Sequence, residues 1–193
     1  MPGAAARRGP LLVCWSSMTE TTGGEQAVYA FLDGLGIPYE RYEHPPVFTV
    51  DQALEHWAGI DAVHGKNLFL RNKKGDRHFL VVAAHTTAID IASLAALVGE
   101  SRLSFASPER LAAHLGLAPG AVSPFGLIND RSRSVRVLVD SELRAATRVG
   151  FHPNVNTATL TITGADFERF LVACGNPVRH FESGRGDISL TGK

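Results

Sequence analysis

The sequence predicts an α+β domain built on a mixed, curved β-sheet, and three observations carry that prediction. Strand-like and helix-like segments follow one another without a strict βαβ repeat. No GxGxxG fingerprint follows a strand and no P-loop is present, which argues against a doubly wound dinucleotide-binding sheet. The length, 193 residues, is that of one domain. A chain of this size buries a full core without disulfide or metal staples.

The elements are read in order from the N-terminus. Arg7-Arg8 ahead of Leu11-Leu12-Val13-Cys14-Trp15 has the outline of a secretory signal, but the apolar run is too short, against about 7–15 residues for a hydrophobic signal region. Residues 1–22 are therefore expected to be a disordered leader, with Met18 an alternative start. The folded domain is expected over 23–182, and the polar, Gly-rich segment 183–193 is expected to be a flexible tail. Val28, Phe31, Leu32 and Leu35 fall at helical spacing within 24–35, and Gly36 stops that helix. Pro38–Tyr42 reads as a short strand. Thr49 is placed to cap a helix over Val50–Trp57. Asn67–Arg71 and His78–Ala83 read as strands joined by a hairpin turn through Gly75. Ile89–Val98 is an apolar-faced helix closed by Gly99. A strand follows at Leu103–Ala106, and Ser107-Pro108 opens the next helix with a cap and a proline at its first position. Val135–Val139 is a β-branched strand running into a short helix at Asp140-Ser141-Glu142. The chain ends its folded part with a strand at Thr159–Thr163, a helix at Asp166–Ala173 and a strand at Val178–Phe181.

Composition narrows the function. Nineteen basic residues balance nineteen acidic ones, which argues against a polycationic nucleic-acid binder while leaving a local basic patch open. Cys14 and Cys174 make no CxxC pair, and the eight histidines make no HxH or HExxH set, so neither a metal nor any other cofactor is expected. A reduced, cytoplasmic compartment fits the cysteine usage. No stretch approaches the roughly 20 apolar residues of a membrane span. There is no GxSxG nucleophile elbow.

Four segments and one charge cluster are candidates for chemistry. Arginines number fifteen and lysines four, and Lys66 alone among the lysines sits in the body of the chain. A lysine is a compact charge with rotatable donors, suited to an ester carbonyl, a terminal phosphate or an amine-ordering role. It could equally snorkel from a strand start. Gly116–Gly126 holds three glycines and two prolines. Its amides at Ala121, Val122 and Ser123 could cradle an oxyanion, with Pro124 shaping the loop, or the segment could be a plain surface connection. Phe151-His152-Pro153-Asn154 offers a histidine that titrates near neutral pH, or one that only stabilises a turn. Glu43–Thr49 could wall a small pocket with Val47 and Phe48, or simply connect two elements. Arg131, Arg133, Arg136, Arg144 and Arg148 could follow a nucleic-acid backbone, or form a solvated face.

Taken together, Glu43–Thr49, His64-Gly65-Lys66-Asn67-Leu68-Phe69-Leu70, Leu103–Ser107, Gly120–Gly126 and Phe151–Asn154, in that order and spacing, resemble the YbaK/prolyl-tRNA-synthetase-associated editing domain family. The branch most resembled is that of free-standing PrdX-like alanyl-tRNA(Pro) deacylases. The resemblance spans about residues 25–182. It departs at the leader and at His85-Thr86-Thr87-Ala88, where relatives tend to carry more charge. It implies a partly barrel-like mixed sheet ringed by helices, and hydrolysis of a mischarged aminoacyl ester on tRNA without cofactor. The family's essential lysine falls on Lys66 and its GxxxP loop on Gly120–Pro124. Asn67 and His152 match its other pocket positions, and Thr49 and Asn154 lie in the matching segments that would face the substrate. The implied partner is aminoacylated tRNA, most readily tRNA(Pro), with prolyl-tRNA synthetase a second candidate.

The role is chemically sensible. A pocket built for proline rejects a smaller amino acid by only about 1–3 kcal/mol for a missing methylene, so a second, smaller sieve is needed. Val47 and Phe48 are its candidate wall. An aminoacyl ester is already activated, so water or a ribose hydroxyl can serve in place of a Ser or Cys nucleophile. The rival readings are a cysteinyl-tRNA(Pro) deacylase of the same family, a non-catalytic DNA- or RNA-binding module, and a silent binding protein.

Overall fold

A computed structural model describes residues 24–47, 50–183 and 188–191. The leader 1–22, Phe48 and Thr49 lie outside the described residues, as does Cys14.

Strand β2 (Val63–Asn72) organises the molecule. Over Gly65–Arg71 it pairs antiparallel with β3 (His78–Ala84) through the turn expected around Gly75. Along its other edge it changes partner. Val63 and His64 pair in parallel with β6 (Arg148–Phe151), whereas Leu70–Asn72 pair antiparallel with β4 (Leu103–Phe105). On the far side of β3, β5 (Val135–Asp140) and β8 (Val178–Ser183) run parallel to it. β7 (Ala158–Thr163) joins β6, and β1 (Glu40–Glu43) joins β7, both antiparallel. The spatial order is β1-β7-β6-β2-β3-β5-β8, then β9 (Ile188–Thr191), with β4 beside β2. The sheet is mixed, as the sequence predicts. It does not close into a barrel, because β1 and β9 end the path without pairing to each other.

Both faces of the sheet are covered, which explains why β3 reads as an unbroken apolar run rather than an alternating one. Leu80, Val82 and Ala84 enter a large core with α1 (Glu25–Gly34), α4 (Pro108–Leu115) and α6 (Gly164–Cys174). Phe79, Val81 and Ala83 enter a second core beneath α3 (Ile91–Leu97). The helix ends are set by local chemistry. Ser107, Asp90, Asp140 and Thr163 each accept an N-terminal amide, and Gly116 and Gly175 close α4 and α6 in the left-handed conformation.

Three elements go beyond the sequence reading. β6 is four residues long and includes Gly150, which weakens a strand signal. Pro124–Asn129 winds into a 3-10 turn capped by Ser123. Within the stretch expected to be a flexible tail, Ile188–Thr191 pairs with β8, whose outer edge would otherwise show open backbone donors and acceptors. Among the described residues no helix is long and apolar enough to cross a membrane.

Candidate functional site

The partner change along β2 leaves a gap. Between the β6 ladder at Val63–His64 and the β4 ladder at Leu70–Asn72, neither neighbouring strand lines the edge over Gly65–Leu68. The loop ahead of the 3-10 turn comes alongside here, and Asn67 Nδ2 donates to the Val122 carbonyl at 3.0 Å. The next residue ties in a third segment: Ser123 Oγ donates to the His152 carbonyl at 2.5 Å and accepts from Phe125 N at 3.2 Å. The fourth segment follows. His44 N and Val47 N donate to the carbonyls of Thr157 and Asn156, and the His44 ring lies 5.7 Å from that of His152. Sequence segments more than a hundred residues apart therefore meet at one end of β2.

Lys66 and Asn67 leave β2 on opposite faces, because side chains alternate along a strand. Lys66 stands opposite Ala83, on the α3 side, and Asn67 opposite Val82, on the large-core side. The Lys66 ammonium donates to two main-chain carbonyls, those of His85 (3.2 Å) and Thr87. The Gly120–Pro124 loop supplies neither of these acceptors; it is Asn67 that reaches it. Burial lowers the Lys66 pKa, and the Asp140 carboxylate pulls it back up. Asp140 also fixes the turn that holds the lysine: it accepts from Ala84 N at 3.3 Å, Thr87 Oγ1 at 2.5 Å and Glu142 N at 3.0 Å, the last at the start of α5 (Ser141–Ala145). Gly65, just before the lysine, is required by packing. A Cβ there would stand 2.3 Å from Cε1 of Phe151, which is itself buried.

Sequence reasoning missed the rings that surround this end of β2. Trp57, from α2 (Val50–Trp57), stacks on His64 with centroids 4.2 Å apart and meets His85 edge-on at 5.5 Å. His56 stacks on His44 at 5.5 Å. Only tertiary structure joins them; no spacing in the chain signals it. His152 does not titrate near neutrality as expected. Burial, with His44 nearby, pushes its pKa down to about 4, and burial does the same to His64. Both imidazoles are neutral at pH 7. Asn67 Oδ1, His85 Nδ1, His152 Nε2 and Trp57 Nε1 are buried without a hydrogen-bond partner among the described residues.

The remaining candidates sort as follows. Gly120 has φ +86°, a conformation that favours glycine. The Ala121 amide does not face outward to an oxyanion; it donates to Ala118 O at 3.1 Å and closes a turn. Val47 is buried with Ala53 and Trp57, and Pro124 is buried at the start of the 3-10 turn. Asn154 is buried with φ +62°, which an asparagine tolerates better than most residues. Two groups are excluded as nucleophiles. Ser123 is fully buried with its hydroxyl on the His152 carbonyl, and Cys174 lies in the large core with its thiol pushed up to about 12 by burial. Among the described residues no group of three His, Cys, Asp or Glu could hold a metal ion. The five arginines do not form one cluster. Arg131, Arg133 and Arg136 lie at the start of β5, whereas Arg144 and Arg148 lie beyond its other end, Arg148 in an ion pair with Glu40 at 2.8 Å.

The fold and site are those of an open mixed sheet with neutral imidazoles and a part-buried lysine at one end of its central strand. The model of the aminoacyl-tRNA editing domain matches residues 44–170, two-thirds of the chain, and the chain belongs to that family of aminoacyl-tRNA deacylases. It is 42% identical over 159 residues to the prolyl-tRNA editing protein ProX of Acetoanaerobium sticklandii, covering 82% of this chain and 96% of that one. It is 38% identical over 143 residues to the prolyl-tRNA synthetase associated domain-containing protein 1 of Danio rerio, covering 73% and 77%. A crystal structure described as a candidate trans-editing enzyme for prolyl-tRNA synthetase shares the fold, with TM-score 0.62 at 19% identity over 91% of this chain and all of the other.

Proposed function

We propose that this protein edits in trans, hydrolysing the ester of mischarged tRNA(Pro), and that alanine is the acyl group it removes. The observation that carries the reading is the convergence of Asn67, the Val122–Ser123 segment and His152 at the unpaired stretch of β2, with Lys66, its neighbour on that strand, clamped on the other face. The names of the relatives point to tRNA(Pro) as the RNA.

Each group has a role that its geometry permits. An ammonium has three N–H donors. Two of Lys66's are directed to carbonyls, so the third is aimed by a fixed clamp and meets the ester end or the terminal phosphate. Water adds to the acyl carbon, and a hydroxyl of the terminal ribose relays one of its protons towards the leaving ribose oxygen while the other goes to solvent. The amides of Val122 and Ser123, which donate to no acceptor among the described residues, face the developing oxyanion, a contribution of about 3–4 kcal/mol per donor where such donors have been removed. The ester C–O bond then breaks, the ribose oxygen takes a proton, and the amino acid leaves as a carboxylate. Asn67 and neutral His152 orient the amino acid, and Val47 with Trp57 limits its size.

The test compares release of labelled alanine, serine and cysteine from tRNA(Pro) charged with each. Alanine is expected to leave fastest, by tenfold or more. Faster cysteine release transfers the protein to the cysteinyl reading, and no release from any of the three ends the editing reading.

A further inference from the structure

Net neutrality conceals a strong separation of charge. β3 and β5 are parallel and start side by side, His78 opposite Val135. The β2–β3 turn and the turn before β5 therefore lie at the same end of the sheet. Asn72 of β2 pairs with Leu103 of β4, which brings Glu100–Arg102 to that end as well. The start of α4 joins them, because Arg110 Nη1 donates to Gly75 O at 2.6 Å. Across 71–77, 100–102, 109–110 and 130–136 there are nine Lys and Arg side chains against four Asp and Glu. The cations keep an excess of five, with Asp76 and Glu109 exposed among them. Asp130 is buried, turned inward to Val135 N and Asn176 Nδ2, and Glu100 is paired with Arg77. Lys73, Lys74 and Arg131 are exposed and in no ion pair among the described residues.

Lys66 stands near the opposite end of β2. Seven residues separate it from Lys73, on the order of 20 Å along a strand. An aminoacyl ester alone cannot reach from one to the other, whereas a polyanion that carries the ester on its tip can.

We infer that this basic end is the docking surface for the backbone phosphates of the RNA, away from its aminoacylated 3′ end. The inference rests on the editing reading for the identity of the substrate, and the surface itself rests on charge and topology. It replaces the continuous arginine face expected from the sequence: Arg131, Arg133 and Arg136 belong to the surface with the hairpin lysines, and Arg144 and Arg148 do not.

The experiment uses the triple variant Lys73→Glu, Lys74→Glu, Arg131→Glu in the full chain. Two substrates are compared: full-length alanyl-tRNA(Pro), and a short single-stranded oligonucleotide alanylated at its 3′ end. With the full-length substrate KM rises at least tenfold while kcat is retained; with the short one both are unchanged. Binding of uncharged tRNA(Pro) also becomes less salt-sensitive, its log–log slope falling by about 2–3 for three lost phosphate contacts. An unchanged KM on full-length tRNA and an unchanged salt slope overturn the inference, and so does duplex DNA competing as well as tRNA against the wild type. If the wild type fails to deacylate any charged tRNA while the variant still loses tRNA binding, the editing reading fails and the docking surface stands.

Discussion

Lys66 is held by main-chain atoms and not by a side-chain partner. Its acceptors are the carbonyls of His85 and Thr87, so the clamp does not depend on which side chains stand there. The lysine was legible because a chain rich in arginine keeps one lysine in its body. Its geometry was not, because spacing alone could not separate a clamped ammonium from a snorkelling one. The imidazole and indole rings were harder still: His44, His56, Trp57, His64, His85 and His152 share no periodicity and meet only when α2 lies over the start of β2. At this scale the test is Lys66→Ala. Alanine release from alanyl-tRNA(Pro) falls by about 10²–10³-fold, the range seen when one preorganised transition-state donor is removed, while the melting temperature moves by no more than a few degrees. Wild-type turnover in that variant would rule out the lysine's role.

The loop from Gly116 to Ser123 has an irregular backbone, as its composition suggests. Glycines and prolines in that density mark a backbone that must take unusual angles, and Gly120 does, at φ +86°. What composition could not tell is which amides stay open, since Ala121 closes a turn on Ala118 whereas Val122 presents its carbonyl to Asn67. Gly120→Ala forces a Cβ into the left-handed region at about 1–2 kcal/mol. Turnover is expected to fall at least tenfold, with a drop in melting temperature of only a few degrees. Equal losses in a stability curve and in initial rate would instead make the loop a folding element. The longer regular elements were legible from caps and periodicity. β6 was not, because a four-residue strand with a glycine in it takes its conformation from its neighbours β2 and β7.

For the molecule as a whole, pH reports how much of the interior is imidazole. His64, His78 and His152 are each pushed down to about 4, chiefly by burial. The unfolded chain takes up protons on these groups near the ordinary value of about 6.5, and the folded chain refuses them until about 4. Stability is therefore full above pH 6.5 and declines as the pH falls from 6.5 towards 4. Thermal melts across that window should show a flat melting temperature at the neutral end and a progressive loss on acidification. A flat profile down to pH 4.5 would contradict neutral, buried histidines. The same scale shows what composition leaves open: equal totals of acid and base allow a local basic patch, and the topology gathers cations at the starts of β3 and β5. The mixed sheet was legible from the irregular order of its segments, but that it stays open at β1 and β9, and which strand divides its loyalty, were not.

That divided strand has a last consequence. The aperture beside Gly65–Leu68 exists because β6 departs before β4 arrives, so its breadth is set by how far two flanking ribbons splay from a shared spine. On the proposed reading, substitutions that tilt β4 or β6, such as at Leu103 or Val149 in the two cores, would shift acyl-group preference without changing a single atom that touches the substrate.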